Sequence, residues 1–256
     1  MKIINNIFDL NKAVKNFKGF GFVPTMGGIH EGHISLIKNS KKACKKTIVS
    51  LFVNPKQFND KKDFNKYPRN LNNDIKILKK LKINYLFIPS IKDVYGVKNI
   101  IFKLNRVDKI LCAKYRRGHF EGVLNVMNRL LSLIKAKKVF MGEKDFQQLF
   151  LIRKYLSKRH SVKIINCKTI RDKNNIALST RNNLLKKNEY KKVVFISNLL
   201  INFKKKVVNK KNLSIKINQI TNKIESLYKV KIDYLEFRSE KDLKLNNFKK
   251  KYRLFV

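Results

Sequence analysis

The chain has no tryptophan, three cysteines and only 17 acidic residues among 256. Each shortage excludes something. Cys44, Cys112 and Cys167 are far apart and form no C-x-x-C pair. That excludes a disulfide framework and a zinc cluster, and fits reduced thiols in a cytosol. No apolar run approaches the ~18 residues of a membrane helix, so no membrane partner is expected. The opening MKIINNIFDLNK has no apolar stretch before Asp9 and Lys12. No secretory signal is read there, and the expected location is cytoplasmic. Internal repeats and long linkers are absent as well.

The scarcity of acid leaves a net charge of +43, from 60 Lys+Arg against 17 Asp+Glu. Such a balance raises the possibility of a nucleic-acid partner. The lysines, however, are spread along the whole chain rather than gathered in an arm or stripe. Lys, Asn, Ile and Phe are all abundant and all encoded by A/T-rich codons, so one compositional bias accounts for the four together. No specific nucleic-acid partner is expected. The charge would still help recruit anionic substrates, subject to screening by salt.

Hydrophobic residues make up 43% of the chain, which at this length supports one large domain or two modest ones with a proper core. The stretch Phe22–His33, FVPTMGGIHEGH, organises the rest. Gly19–Val23 reads as a short buried strand ended by Pro24. Thr25-Met26-Gly27-Gly28 is a tight turn in which backbone can approach a ligand. His30 and His33 then stand i, i+3 on one face at a helix start. A helix N-terminus offers unpaired N–H groups and a positive dipole end, a place for phosphate. Two imidazoles there would donate hydrogen bonds to phosphate oxygens and take on charge as negative charge builds. On local grounds the same HxxH also fits a metal pair or two surface histidines.

Further along, the pattern predicts a helix over Leu36–Lys46, a strand over Thr47–Val53, and a polar loop over Asn54–Asn59. A helix near Asn70–Leu81 and strands over Asn84–Pro89 and Val97–Leu104 follow. Arg116–Gly122 reads as a loop, Val123–Ile134 as a helix, Lys138–Met141 as a strand, Phe146–Leu156 as a helix and Val162–Cys167 as a strand. Strands alternating with helices indicate an α/β fold, a Rossmann-like parallel sheet with helices on both faces. After the polar cluster Arg171–Asn175 the texture changes. Helices near Asn183–Phe203 and Leu213–Tyr228, with strands over Val230–Phe237 and Tyr252–Val256, form a smaller α+β unit. The expected domains are 1–172 and 173–256.

Parallel strands bring their following loops to one edge of the sheet. Four polar loops would meet there: the His30/His33 turn, Asn54–Asn59, Gly142–Asp145 and Ser179–Arg181. Lys144 suits phosphate as a point charge, or is one surface lysine among many. Asp145 would accept from ribose hydroxyls, cap the next helix in a capping box with Gln148, or both. Gln57 and Gln148 suit an uncharged polar substrate. Ser179-Thr180-Arg181 offers two hydroxyls and a guanidinium for phosphate, or a helix cap. His119 and His160 read as structural.

Together these blocks resemble the pantothenate synthetase (pantoate–β-alanine ligase) family, of the HxGH nucleotidyltransferase-like superfamily. The matching residues are PTMGGIHEGHISLI at Pro24–Ile37, SLFVNPKQFN at Ser50–Asn59, DFNKYPR at Asp63–Arg69, GHFEGV at Gly118–Val123, GEKDFQQL at Gly142–Leu149 and ALSTRN at Ala177–Asn182. The resemblance implies ATP as substrate with Mg²⁺, and condensation of pantoate with β-alanine through a pantoyl-adenylate. It implies His33, His30 and Lys144 as catalytic residues. It places ATP against Met26, Gly27, Gly28, Ile29, His30, Glu31, Gly32 and His33, then Gly142, Glu143, Lys144 and Asp145, then Ile170, Leu178, Ser179, Thr180 and Arg181. Gln57 and Gln148 would hold pantoate, and Gln57 β-alanine; no protein metal ligands are implied. It further implies a homodimer and a lid role for the C-terminal unit. Thr180 stands where the family usually has serine, and Arg117 where proline is common. A nucleotidyltransferase acting on a phosphorylated substrate is the alternative within the superfamily, and a basic nucleic-acid-binding protein the alternative outside it.

Overall fold

The computed structural model describes residues 1–15, 17–96, 101–207, 212–245 and 251–256. They divide into two compact units: Met1–Arg171 with Ala177–Asn183, and Asp172–Ile176 with Leu184–Val256. The first unit carries, in chain order, β1 (Lys2–Ile4), α1 (Ile7–Lys15), β2 (Gly21–Thr25), α2 (Glu31–Ala43), β3 (Thr47–Leu51), α3 (Lys61–Lys66) and α4 (Leu71–Lys80). It continues with β4 (Tyr85–Phe87), α5 (Ile91–Tyr95), α6 (Cys112–Tyr115), α7 (His119–Ile134), β5 (Lys138–Gly142), α8 (Phe146–Leu156) and β6 (Lys163–Cys167).

These six strands form one parallel sheet in the order β1-β4-β3-β2-β5-β6. Winding runs outward one way from β2 through β3 to β4 and the other way from β5 to β6. The strands are apolar on both sides because both sides are covered. On one face Phe22, Ile48, Phe87, Val139 and Met141 pack with Leu10 of α1, Val123, Met127 and Leu130 of α7, and Leu149 and Ile152 of α8. On the other, the alternate residues Val23, Val49, Leu86 and Phe140 pack with Leu36 and Ile37 of α2 and Leu78 of α4. The α/β reading of the sequence holds on both faces.

The second unit carries α9 (Lys187–Lys206), α10 (Leu213–Tyr228) and an antiparallel pair, β7 (Glu236–Ser239) with β8 (Tyr252–Phe255). Among the described residues, Ile176, Ile224, Leu235, Phe237, Leu243 and Phe255 are its buried apolar ones.

Several expectations need correction. Pro24 does not end β2, which runs on to Thr25. The Gly21 N–H and the Thr25 carbonyl both bond toward β3, through Lys46 and Phe52. Alternation therefore turns Pro24 toward β5, where pairing stops at Phe22↔Val139. A residue without an N–H loses no ladder bond there. Residues 119–122 are not loop but the first turn of α7, which starts after a left-handed Gly118 at φ 77°. β7 begins at Glu236 rather than Val230, and α9 at Lys187 rather than Asn183, because Thr180–Leu184 form a 3₁₀ turn. Of the strand expected over 97–104, residues 97–100 lie outside the described residues, and 101–104 have no strand pairing.

Candidate active site

At the carboxyl ends of β2, β3 and β5 the first unit encloses a cavity of about 250 Å³. Its construction starts at the glycine turn. Gly27 and Gly28 both take left-handed φ values, 83° and 62°, which side chains resist. Thr25 Oγ1 donates to the Ser50 carbonyl at 2.8 Å and accepts from Gly27 N–H, pinning the turn to β3. The Gly28 and Ile29 N–H groups donate to the two oxygens of Asp74, at 2.9 and 2.8 Å. Asp74 is a buried carboxylate on α4, 2% exposed. Sequence reading missed it, since nothing in the α4 pattern marks it and its partners lie 45 and 46 residues earlier.

His30 caps α2: its Nδ1 accepts from Gly32 N–H at 3.1 Å. Gly32 is required sterically, since a Cβ there would lie 2.7 Å from His30 Cε1. His33 Nδ1 accepts from His30 N–H at 3.4 Å, and the two rings lie 4.1 Å apart. Both Nδ1 atoms act as acceptors, so each neutral ring carries its proton on Nε2. Burial, then His30 and Lys144, push the His33 pKa down to about 3. Burial and Lys144 lower His30 as well, against a smaller opposing pull from Glu31. Both rings are neutral donors at neutral pH. The expected uptake of charge is opposed in the structure without nucleotide.

Fourteen of the expected residues line this one cavity: Met26, His30, Gly32, His33, Gln57, Gly142, Lys144, Asp145, Gln148, Ile170, Leu178, Ser179, Thr180 and Arg181. Gly27, Gly28, Ile29, Glu31 and Glu143 do not line it. The first three form the turn behind it, Glu31 borders a separate hollow with Lys38 and Lys42, and Glu143 faces Asn166. Ile170 and Leu178 meet through a backbone bond, Leu178 N–H to Ile170 carbonyl at 3.0 Å. This returns Ser179–Arg181 to the sheet edge within the first unit.

The structure also decides between local alternatives. Asp145 begins α8 but makes no capping bond with its side chain. It pairs with Lys144 at 3.5 Å instead. Thr180 Oγ1 donates to the Gly28 carbonyl at 3.2 Å. Gln57 Nε2 meets Met26 Sδ at 2.8 Å, and its Oε1 accepts from Asn54 Nδ2 at 3.1 Å. Phe52, Val123, Val126, Met127 and Leu130, all buried, give the lining an apolar part. The polar part suits a phosphorylated nucleotide and the apolar part a branched carbon chain. His160 bonds to Asn128 and stands apart from the cavity.

A glycine turn and paired imidazoles at the switch point of a parallel sheet define a nucleotide-handling α/β enzyme. The family description "Pantoate-beta-alanine ligase" matches residues 2–256. A pantothenate synthetase of Pseudothermotoga lettingae is 37% identical over 250 residues, covering 95% of this chain and 89% of that protein. The pantoate-β-alanine ligase of Francisella tularensis, solved with β-γ ATP and β-alanine, superposes with a TM-score of 0.82 at 38% identity, covering 96% of this chain and 90% of that one. The Thermus thermophilus enzyme superposes with a TM-score of 0.88 at 28% identity and the same coverage, 96% and 90%. The chain belongs to the pantoate–β-alanine ligase family.

Proposed function

We propose that the cavity condenses pantoate with β-alanine at the expense of ATP. The observation that carries this reading is the convergence of residues from four separated segments on one cavity with a polar and an apolar part to its lining. A pantoate carboxylate oxygen attacks the α-phosphorus and the bond to pyrophosphate breaks. The β-alanine amine then attacks the acyl carbon of the adenylate, AMP leaves with the C–O electron pair, and the nitrogen loses a proton.

The chain's own groups act as fixed donors around the phosphorus. His30 and His33 offer Nε2–H groups, Lys144 and Arg181 offer positive charge, and Ser179 offers a hydroxyl. Donors held in place before reaction stabilise developing charge without reorganising. Gln57 and Gln148 would take the hydroxyls and carbonyl of pantoate, and Gln57 would also meet β-alanine. The branched carbon of pantoate would lie against Val123, Val126 and Met127.

Mg²⁺ is the expected companion of ATP and would neutralise charge on the departing pyrophosphate. Asp145 is the one carboxylate in the lining among the described residues, while both oxygens of Asp74 face turn N–H groups. That donor set fits an ion held mainly by phosphate and water oxygens. The same reading includes a homodimer, a cytoplasmic location, and a lid role for the C-terminal unit.

A nucleotidyltransferase for a phosphorylated substrate would need cations where Gln57, Gln148 and the apolar part stand. Pantoate-dependent exchange of pyrophosphate into ATP tests the reading, together with formation of pantothenate and AMP only when all three substrates are present. AMP release without pantoate, or no product from folded protein, overturns it.

A further inference from the structure

His119 lies outside the cavity lining and was read from sequence as structural, yet it is tied to a residue that does line it. The ring is buried, 7% exposed, in the first turn of α7. Its Nδ1 lies 2.6 Å from the Gln57 carbonyl oxygen, and its Nε2 lies 3.3 Å from Arg116 Nη1. A guanidinium can only donate, so Nε2 accepts and the proton sits on Nδ1, donating to Gln57. Both nitrogens are thus committed, and one tautomer of a neutral ring satisfies both.

Two further contacts lock the same pair of elements. Asn54, 1% exposed, accepts from Lys56 N–H, and its Nδ2 donates both to Gln57 Oε1 and to the Gly122 carbonyl at 3.1 Å. Gly122 lets the turn sit directly on α7: a Cβ there would lie 2.2 Å from the Lys56 carbonyl oxygen and 3.1 Å from Gln57 N. The 3₁₀ turn Pro55–Gln57 is therefore held at its backbone and underside by the start of α7, and at the Gln57 side chain by Asn54, which is itself bonded to α7.

We infer that His119 is a positioning residue: by donating Nδ1–H to the Gln57 carbonyl it sets the Gln57 amide for the acid substrate. This rests on the ligase reading of the cavity. It also gives the GHFEGV block, of which only Val123 lines the cavity, a second purpose in substrate selection. The two hydrogen bonds of His119 go to Arg116 and Gln57, and neither residue is placed against the nucleotide, so its loss should be felt mainly by pantoate.

The experiment measures pantoate-dependent ATP–pyrophosphate exchange in the full-length protein. In His119→Leu the pantoate KM should rise roughly 10- to 100-fold, the scale for a buried acceptor left without its donor, with the ATP KM within about 3-fold. His119→Asn keeps an N–H near the Nδ1 position and should restore most of the affinity. His119→Gln, whose amide reaches the Nε2 position instead, should not, and it replaces the leucine variant if that fails to fold. Combined with Gln57→Ala, either His119 variant should add no more than about 2-fold to the loss from Gln57→Ala alone, because residues acting through one group are not additive. Equal losses for ATP and pantoate, multiplying losses in the double variant, or a pantoate KM that does not move would overturn the inference. Wild-type protein without pantoate-dependent exchange would instead overturn the ligase reading, and this inference with it.

Discussion

The Arg181 guanidinium is clasped side-on by Asp63, with Nε to Oδ1 at 3.2 Å and Nη2 to Oδ2 at 2.9 Å. The rings of Tyr67 and Phe58 lie 5.1 and 5.8 Å from its centre. The arginine expected from sequence to grip phosphate thus enters the cavity already aimed, by a carboxylate 118 positions earlier. The pair is only partly shielded, with side-chain exposures of 42% and 37%. Asp63→Ala should therefore cost less than about 1 kcal/mol of stability. The freed side chain must be re-ordered by the nucleotide, so the ATP KM should rise by roughly 10-fold, corresponding to most of an arginine's rotamer entropy. An unchanged or lower ATP KM would show that Asp63 competes with phosphate rather than aiming the arginine.

His33 should act as a neutral donor throughout the physiological range. His33→Ala should slow adenylation by roughly 10²–10³, the scale for one lost transition-state donor, with folding retained. Its pKa of about 3 predicts no activity change near pH 6.5 from its protonation. A limb near pH 6.5 that disappears in His33→Asn would contradict this.

The same burial makes stability depend on acid. The unfolded chain protonates its histidines near 6.5, whereas folded His33 and His119 resist until about 3 and about 4. The unfolded state therefore binds more protons below pH 6.5, so stability is full above that pH and falls as pH drops toward 4. Thermal unfolding at pH 7.5 and pH 5 should show a lower Tm at pH 5. The gap should narrow in the His33→Asn, His119→Asn double variant, and an equal gap in that variant would assign the acid sensitivity elsewhere.

Asp74 predicts a large effect from a residue outside the cavity. Its carboxylate takes two N–H groups of the turn before α2, that of Ile29 buried and that of Gly28 half-buried. Asp74→Ala leaves both without a partner and should destabilise the protein by about 2–4 kcal/mol. Asp74→Asn keeps the shape but turns one N–H against another, and should fall between. Urea midpoints test this; a shift below about 0.5 kcal/mol would mean the turn holds itself.

Gly28→Ala separates strain from crowding. The left-handed φ resists alanine, and its Cβ would lie 2.2 Å from Thr180 Cγ2. The ATP KM should rise steeply. Adding Thr180→Ser removes that methyl and should recover only part of the loss, since Oγ1 and Cβ of residue 180 remain at 3.1 and 3.2 Å from the new carbon. Full recovery would show that the backbone tolerates alanine.

Much of the first unit was legible because its signals are local. α8 occupies the span Phe146–Leu156 read from its pattern, and the buried strands announce themselves as β-branched and aromatic runs. What escaped was set by partners distant in sequence. β1 is three residues long and lies at the sheet edge beside β4, and too short a run carries no period. Pro24 looked like a strand end because the lapse in pairing with β5 cannot be seen from residue 24. Gly118 and Gly122 both looked like loop, yet only Gly118 has a positive φ; Gly122 is helical and small because Lys56 packs on it. The cavity-lining loops were found through their motifs. The roles of the carboxylates that hold them were not: Asp63 stood in the DFNKYPR block with no role attached and Asp74 in no block, because an aspartate on a helix looks the same whether it meets solvent or a partner far along the chain.

The strand order carries a consequence for how the enzyme comes into being. β2, which ends in the histidine turn, and β5, which ends at Lys144, are neighbours in the sheet but lie more than a hundred residues apart along the chain. A ribosome that has delivered the first 130 residues has already made both imidazoles, Gln57 and Asp63, but neither Lys144 nor the arginine that Asp63 clasps. The cavity is complete only once β5 has paired with β2 and ALSTRN lies against the turn. A chain cut between Leu149 and Ala177 would carry five of the six motif blocks and still lack the Ser179–Arg181 corner of the cavity.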